Sequence, residues 1–223
     1  MTYFRRLKLK FGEIMRLRVA VPVVCLFLAS LAFAAEDYKI DPGHSSTNFS
    51  VRHMMVSTVT GRFAGGLSGT IHYDDKDISK SVVKATIKVD SVNTDNENRD
   101  KDLRGPNFFD AEKYPDITFE SQRVEKRGDS YVAIGNFTMK GVTKQIELPF
   151  TIGGRINDGK GRGRIGIQSG TTLNRQDYGL SWNRTVEGGG VVVGNEVKID
   201  LNIEGTLVPP AAAPAGMPSG GTQ

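Results

Sequence analysis

Short segments in which apolar and polar residues alternate one by one recur through most of this chain. In one of them Val83, Ala85 and Ile87 alternate with lysine and threonine, and the same period returns over residues 146–152 and 197–203. Successive side chains on a β-strand point to opposite faces, so each segment predicts a strand with one apolar face. A chain made of such strands must bury these faces in a sandwich or a closed barrel. A barrel interior is either packed with side chains or able to hold a ligand.

The first 34 residues have the composition of a secretory signal peptide. Six Arg and Lys residues precede an apolar run over residues 19–34, and Ala32-Phe33-Ala34 fits a small-x-small cleavage site. A membrane anchor is the rival interpretation, but the run is shorter than the roughly 20 residues of a spanning helix, and Pro22 interrupts it. We therefore expect residues 1–34 to be cleaved, with Met15 as an alternative start, and no stable membrane span in the mature chain.

Removal of this segment changes what charge and cysteine content imply. The whole chain has 29 Lys and Arg against 25 Asp and Glu; the leader holds six of the former and one of the latter, Glu13, which leaves 23 against 24. A domain with so little net charge has no field to attract phosphates, so we expect no nucleic-acid partner. The only cysteine, Cys25, is also removed, which excludes disulfides and thiolate metal sites.

Turn signals divide the remaining sequence into eight or nine strands within one domain, residues 35–208. A polar stretch before Gly105-Pro106 lacks the alternation and predicts a short helix on the rim of the sheet, capped by Thr94 or Asp95. The tail, residues 209–223, is rich in Pro, Ala, Gly and Ser, and this composition predicts disorder.

An outer-membrane barrel would show the same alternation with its apolar face turned outward to lipid. Here the polar faces are dense in Lys, Glu and Asp, the strands are short and a helix interrupts them. These features favour contact of the polar faces with bulk water. We therefore expect the apolar faces to lie inside the barrel.

Four motifs span nearly all of the mature domain. They are YKIDPGHS from Tyr38, RDKDLR from Arg99, GNFTMKGVTK from Gly135 and LNRQDYGL from Leu173. In this order they resemble the YceI-like family, the bacterial periplasmic polyisoprenoid-binding proteins. The resemblance implies an all-β fold, an eight-stranded antiparallel lipocalin-like barrel with a short rim helix. It also implies a long internal pocket for an isoprenoid tail or fatty chain, and a periplasmic location.

The candidate ligand contacts lie at inward strand positions and among aromatic residues near the helix. Phe108 and Phe109 follow the helix and either form a lid or plug the open end. Tyr178, Leu180 and Trp182 alternate, so as a strand they would share one face, either in the core or in a pocket wall. The predicted ligand-binding residues are Phe49, Val51, His53, Phe63, Ala85, Ile87, Phe108, Phe109, Phe119, Phe137, Tyr178, Leu180 and Trp182.

The polar residues give little support for chemistry. The three histidines are scattered, so a metal site would need distant carboxylates to reach three or four ligands. His53 shares a face with Phe49 and Val51, and a buried neutral imidazole is the simpler interpretation. Arg99 and Asp102 are three apart on the predicted helix, which favours a surface ion pair. We predict no catalytic residue, no metal site and no cofactor.

These features favour a soluble carrier that holds a long apolar lipid, such as an isoprenoid, a quinone or a fatty-acid-like molecule, in the lumen. Small residues at Ala85, Ser121 and Gly135 would leave room for it. Two alternatives stay open. One is an enzyme on a lipid-like substrate with His44 or His53 as base; the other is an envelope-stress module with a filled barrel that binds another protein. A homodimer is also open.

Overall fold

The computed structural model describes residues 35–156, 162–185 and 188–209. The predicted signal peptide and, apart from Pro209, the predicted disordered tail lie outside the described residues. No helix in the described ranges is long and apolar enough to cross a membrane. The elements of the described ranges are β1 (Glu36–Ile40), β2 (Ser46–His53), β3 (Ser57–Phe63), β4 (Leu67–Tyr73), β5 (Val82–Lys88), β6 (Val92–Asn93), α1 (Glu97–Arg104), β7 (Asp116–Arg127), β8 (Ser130–Met139), β9 (Val142–Ile156), β10 (Arg164–Asn174) and β11 (Val193–Leu207).

The strands form one antiparallel sheet that closes on itself. β1 and β2 lie end to end along β11, because Ile40 pairs with Gly205 and Ser46 pairs with Asn202. β3 and β4 lie end to end in the next row, and β5 and β6 in the row after that. Within the described ranges this gives eight rows, each paired with its neighbour in sequence, and β11 hydrogen-bonds back to β1. The predicted eight-stranded antiparallel barrel is confirmed.

Local breaks let the long rows bend around the barrel. The chain bends after β3 at Gly65, whose φ of 66° lies in the left-handed region that favours glycine. In β7 the register shifts between Ser121 and Arg123. The Ser121 hydroxyl accepts a hydrogen bond from the Val83 amide at 2.8 Å, which satisfies a buried donor. Such bulges bend a strand and increase its twist, which helps a sheet to close.

The apolar faces of the strands turn inward, and the buried residues form three clusters. One is centred on Phe63 and Tyr178, the second on Ile40 and Ile165, and the third on Phe119. Phe63 and Phe119 line an internal cavity, whereas Ile40 and Ile165 are fully buried and do not line it. The outer faces carry cross-strand ion pairs, such as that between Lys84 on β5 and Glu120 on β7.

The predicted rim helix is confirmed as α1, but its cap is Asn96 rather than Thr94 or Asp95. The Asn96 side chain accepts a hydrogen bond from the Arg99 amide at 3.0 Å. Thr94 instead donates from its amide and hydroxyl to the buried carboxylate of Asp100. Gly105 ends the helix as predicted.

The predicted ion pair between Arg99 and Asp102 is wrong. Arg99 turns back along the helix, and its guanidinium donates to the hydroxyl and the carbonyl of Thr94 at 2.7 and 2.8 Å. The hydroxyl and the carbonyl of Thr94, rather than the carboxylate of Asp102, are therefore the hydrogen-bond partners of the Arg99 guanidinium. At the other end of α1, Arg104 donates to the carbonyls of Asp90 and Val92, which ties the helix to the barrel rim.

Candidate functional site

The barrel encloses a cavity of about 180 Å³, which we call the lumen. Its wall takes inward residues from most strands of the sheet and Leu103 from α1. On β5 the alternation is direct: Val83, Ala85 and Ile87 line the lumen, whereas Lys84 faces outward to Glu120. The lumen wall is almost wholly apolar, so it suits a hydrocarbon and offers few groups for reaction chemistry.

Most of the predicted contacts meet in this lumen. The aromatic residues pack against one another, with Phe63 lying 5.8 Å between ring centroids from both Phe49 and Phe109. Phe109 therefore serves as part of the wall. Of the thirteen predicted residues, the ten that line the lumen are Phe49, Val51, Phe63, Ala85, Ile87, Phe108, Phe109, Phe119, Phe137 and Leu180.

The interpretation that Tyr178, Leu180 and Trp182 share a strand face is wrong. Residues Arg175–Tyr178 form a 3-10 helix, and Gly179 follows with a φ of 74°, so the period of two does not apply. Leu180 reaches the lumen. Tyr178 is buried beside it, edge-on to Phe137 at 5.3 Å, and burial raises the pKa of its phenol.

A second cavity of about 510 Å³ adjoins the lumen at the α1 end, and we call it the vestibule. The two cavities adjoin each other through shared wall residues, and we call the pair the passage. The shared residues are Phe49, Val51, Leu103, Phe108 and Val193. The polar and outer part of the vestibule is formed by Arg52, His53, Arg99, Lys101, Asp102 and Trp182.

Two of the predicted ligand contacts lie in the vestibule rather than in the lumen. His53 continues the inward face of Phe49 and Val51, but it sits at the end of β2, beyond the lumen, and is only half-buried. The prediction that the His53 imidazole is buried is therefore wrong. Trp182 packs against Phe108 with 5.3 Å between ring centroids, so these two rings stand together at the mouth of the passage.

Two residues expected to leave room do not line the lumen. Ser121 is occupied by its hydrogen bond with the Val83 amide. At Gly135 a Cβ would lie 2.3 Å from the Glu120 carbonyl oxygen, so this glycine permits close approach of β7 and β8. Only Ala85 of the three contributes a small side chain to the lumen wall.

Several lumen residues were missed by sequence reasoning. The alternation with polar residues predicts an inward position for some of them, namely Ile146, Leu148, Val197 and Ile199. It does not predict which inward residues line a cavity. Leu103 had no such signal on a polar helix. Thr47 is also in the wall, and its buried hydroxyl has no hydrogen-bond partner among the described residues.

Arg175 is the least expected member of the lumen wall, since its side chain is charged and only 4% of the residue is exposed. Its guanidinium donates to the carbonyl of Gly194 at 2.8 Å, to that of Val193 at 3.4 Å, and to that of Leu180. Burial lowers its pKa. The guanidinium thus links Leu180, in the segment after β10, to Val193 and Gly194 at the start of β11. Val193 lines both the lumen and the vestibule.

One group of potential metal ligands lies outside the passage. Oxygen and nitrogen atoms of Asp41, His44 and Glu204 lie within 4.8 Å of one another. The Arg164 guanidinium is 2.9 Å from Asp41 Oδ2 and 3.0 Å from Glu204 Oε1, so a cation already neutralises this cluster. Hydrogen bonds from His44 and Arg164 hold the pKa of Asp41 at about 2. The arrangement fits an ion-pair network better than a metal site.

A closed up-and-down barrel of eight antiparallel rows around an apolar lumen defines a barrel of the lipocalin-like class. More specifically, the model of the YceI-like domain matches residues 38–205, and the chain belongs to this family. A relative in Yersinia pestis (strain Pestoides F), described as a UPF0312 protein, is 37% identical over 185 residues, 82% of this chain and 92% of that protein.

Two solved structures are similar in fold. BcnA of Burkholderia cenocepacia superposes with a TM-score of 0.64 at 20% identity, over 74% of this chain and 98% of that one. A polyisoprenoid binding domain from Saccharophagus degradans superposes with a TM-score of 0.55 at 19% identity, over 77% of this chain and 98% of that one.

Proposed function

We propose that this chain is a soluble periplasmic binding protein that holds a long apolar lipid in its lumen. The isoprenoids, quinones and fatty-acid-like molecules are the ligand classes that fit. The observation that carries the proposal is the almost wholly apolar wall of the lumen around Ala85, which adjoins the vestibule through shared wall residues. The polyisoprenoid-binding domain with the same fold supports the choice of ligand class.

The size and chemistry of the passage fit partition of a hydrocarbon chain. An engineered apolar cavity of roughly 150 Å³ takes up benzene, and pockets for larger ligands span about 300–1,000 Å³. The lumen exceeds the first figure and the vestibule falls within the second range. Each methylene group moved from water into the lumen contributes about 0.8 kcal/mol. A buried chain of about ten methylenes therefore offsets the several kcal/mol lost on immobilisation.

The catalytic alternative has less support. His44 lies in the ion-pair network with Asp41 and lines neither cavity. His53 lines the vestibule, where Asp102 is the one carboxylate among the described lining residues. The filled-barrel alternative is disfavoured by the lumen itself, because a hollow lined by apolar side chains remains between the clusters.

The proposal is tested by titrating the delipidated protein with saturated fatty acids of increasing chain length. Partition predicts that affinity rises about fourfold for each added methylene until the passage is full, and then levels off. Affinity that does not depend on chain length would contradict the proposal. Cell fractionation tests the periplasmic location separately.

A further inference from the structure

The turn between β2 and β3 presents three consecutive apolar side chains to solvent, which we call the apolar tip. The exposed fractions are 42% for Met54, 63% for Met55 and 81% for Val56. Single exposed apolar residues are common on protein surfaces, but a contiguous group is typical of an interaction site. Val191, another exposed apolar residue, is the immediate neighbour of Val192, whose carbonyl accepts a hydrogen bond from the Met54 amide.

The backbone of the apolar tip is one that methionine does not favour. Met54 and Met55 have φ values of 49° and 63°, and the Val56 amide donates to the His53 carbonyl at 3.2 Å. His53 pairs with Ser57, so residues 54–56 form a three-residue loop, and residues 53–56 are a β-turn with positive φ at both central positions, where Asn and Gly are preferred. The turn therefore places two large apolar side chains in water at positions that favour small polar residues. Local stability does not explain that choice.

The apolar tip stands beside the opening of the passage. His53 comes directly before it and Val192 is hydrogen-bonded to it, and both line the vestibule. A surface that contacts the apolar tip therefore also faces the vestibule.

The charges around this opening are mostly positive. Arg52, Arg99 and Lys101 line the vestibule, and Asp102 is the single acidic residue among its described lining residues. The guanidinium of Arg52 donates to the Met55 carbonyl at 2.6 Å and to the Thr58 hydroxyl, so no carboxylate neutralises it there. Several outer cations elsewhere on the barrel pair with carboxylates, as Arg127 does with Glu147.

We propose that the apolar tip and these cations form a docking surface for an anionic phospholipid bilayer. This inference rests on the proposed function, because docking at the mouth lets a lipid pass between the bilayer and the lumen without crossing water. Apolar residues at the tip insert into the interface, and the cations contact lipid phosphates. Exposed methionines beside the Arg52 guanidinium, whose hydrogen bonds go to a carbonyl and a hydroxyl, fit a charged lipid surface better than a purely apolar partner.

The test uses the chain from Ala35 onward, since every paired strand of the described ranges lies between Glu36 and Leu207. This form is sedimented with vesicles of mixed phosphatidylethanolamine and phosphatidylglycerol, and with vesicles of phosphatidylcholine alone. The account predicts binding to the anionic vesicles that weakens as salt is added, and much weaker binding to phosphatidylcholine. Absence of binding to the anionic vesicles, or equal binding to both, would overturn the proposal.

The decisive variant is Met54→Asn with Met55→Gly, which installs the preferred turn pair. Its melting temperature should match or exceed that of the wild type, while its affinity for anionic vesicles falls roughly tenfold or more. One tenfold step corresponds to about 1.4 kcal/mol, which is less than full burial of one methionine side chain contributes. Unchanged vesicle affinity in this folded variant would overturn the role of the apolar tip.

Ile156→Asn is the matched control. Ile156 is also apolar and 67% exposed, but it pairs with Arg164, which pairs with Thr206 near the end of β11. The vestibule contains Val193, at the start of β11. The control should bind vesicles like the wild type. Lipid bound in the lumen is measured in parallel by mass spectrometry, so loss of docking with the lumen lipid retained is distinguished from failure of the carrier function.

Discussion

Ala85 on β5 and Phe119 on β7 are Cα partners in neighbouring strands, and both line the lumen. The phenyl ring fills space next to the alanine, and the small side chain leaves the passage open at this level. The width of the lumen thus depends on a large residue standing beside a small one. A larger side chain at position 85 would therefore extend into the lumen.

Ala85→Trp should therefore block the lumen while the barrel still folds. We expect the variant to lose most of its bound lipid, with a stability change smaller than the roughly 1–3 kcal/mol of overpacking a filled core. Bound lipid is quantified by mass spectrometry and folding by circular dichroism. Lys84→Trp is the control, because Lys84 faces outward to Glu120. This variant should keep its bound lipid. A folded Ala85→Trp protein with wild-type lipid content would show that the lumen is not the binding site.

Gly135→Ala should destabilise the barrel by about 2 kcal/mol or more, since the added methyl group meets backbone. The nearest atoms to the new Cβ would be the Glu120 carbonyl oxygen at 2.3 Å and the Ser121 Cα at 2.6 Å. Gly153→Ala is the control, because its Cβ would find only the Gly166 oxygen at 3.8 Å. Chemical denaturation measures both. Equal stability of the two variants would refute the close approach of β7 and β8.

The stabilising contribution of the Asp41 carboxylate should be lost in acid. Hydrogen bonds from His44 and Arg164 lower its pKa from 3.8 to about 2 in the folded protein. A carboxyl group with a lowered folded pKa stabilises the fold above pH 3.8, and this contribution disappears as the pH falls towards 2. The free energy of unfolding should therefore fall less steeply across this window in Asp41→Asn than in the wild type. Parallel pH profiles for the two proteins would contradict the assignment.

Trp182 should report on occupancy of the vestibule. It is the only tryptophan in the chain and packs against Phe108 at the mouth of the passage. A ligand that reaches from the lumen into the vestibule excludes water from the indole, so emission should shift to shorter wavelength as fatty acid is added. Trp182→Phe, with no remaining tryptophan, gives the background signal. An emission spectrum that does not change at saturation would mean that the ligand lies in the lumen and does not reach the vestibule.

The barrel could be predicted from sequence because its strands repeat a local rule. The alternation over Val83 to Ile87 fixes both the strand and its inward face, and the motif resemblance supplied the number of strands. The predicted helix cap was wrong because Thr94, Asp95 and Asn96 are all residue types that cap helices. Thr94 instead bonds to the carboxylate of Asp100, and Asn96 caps the helix.

The site was less predictable because it depends on contacts distant in sequence. The alternation of Tyr178, Leu180 and Trp182 predicts a strand. A 3-10 helix ends at Tyr178 and Gly179 follows it, so the three side chains do not share one face. Arg175 could not be recognised as buried from its type, since its three carbonyl partners come from segments fixed only in the folded barrel.

The most direct test of the central claim is mass spectrometry of an organic extract of the purified wild-type protein. The account predicts an apolar lipid with a long hydrocarbon chain at about one molecule per chain, which the delipidated protein takes up again. A wild-type protein that yields no such lipid and takes up no hydrocarbon chain would contradict the binding function proposed for the lumen.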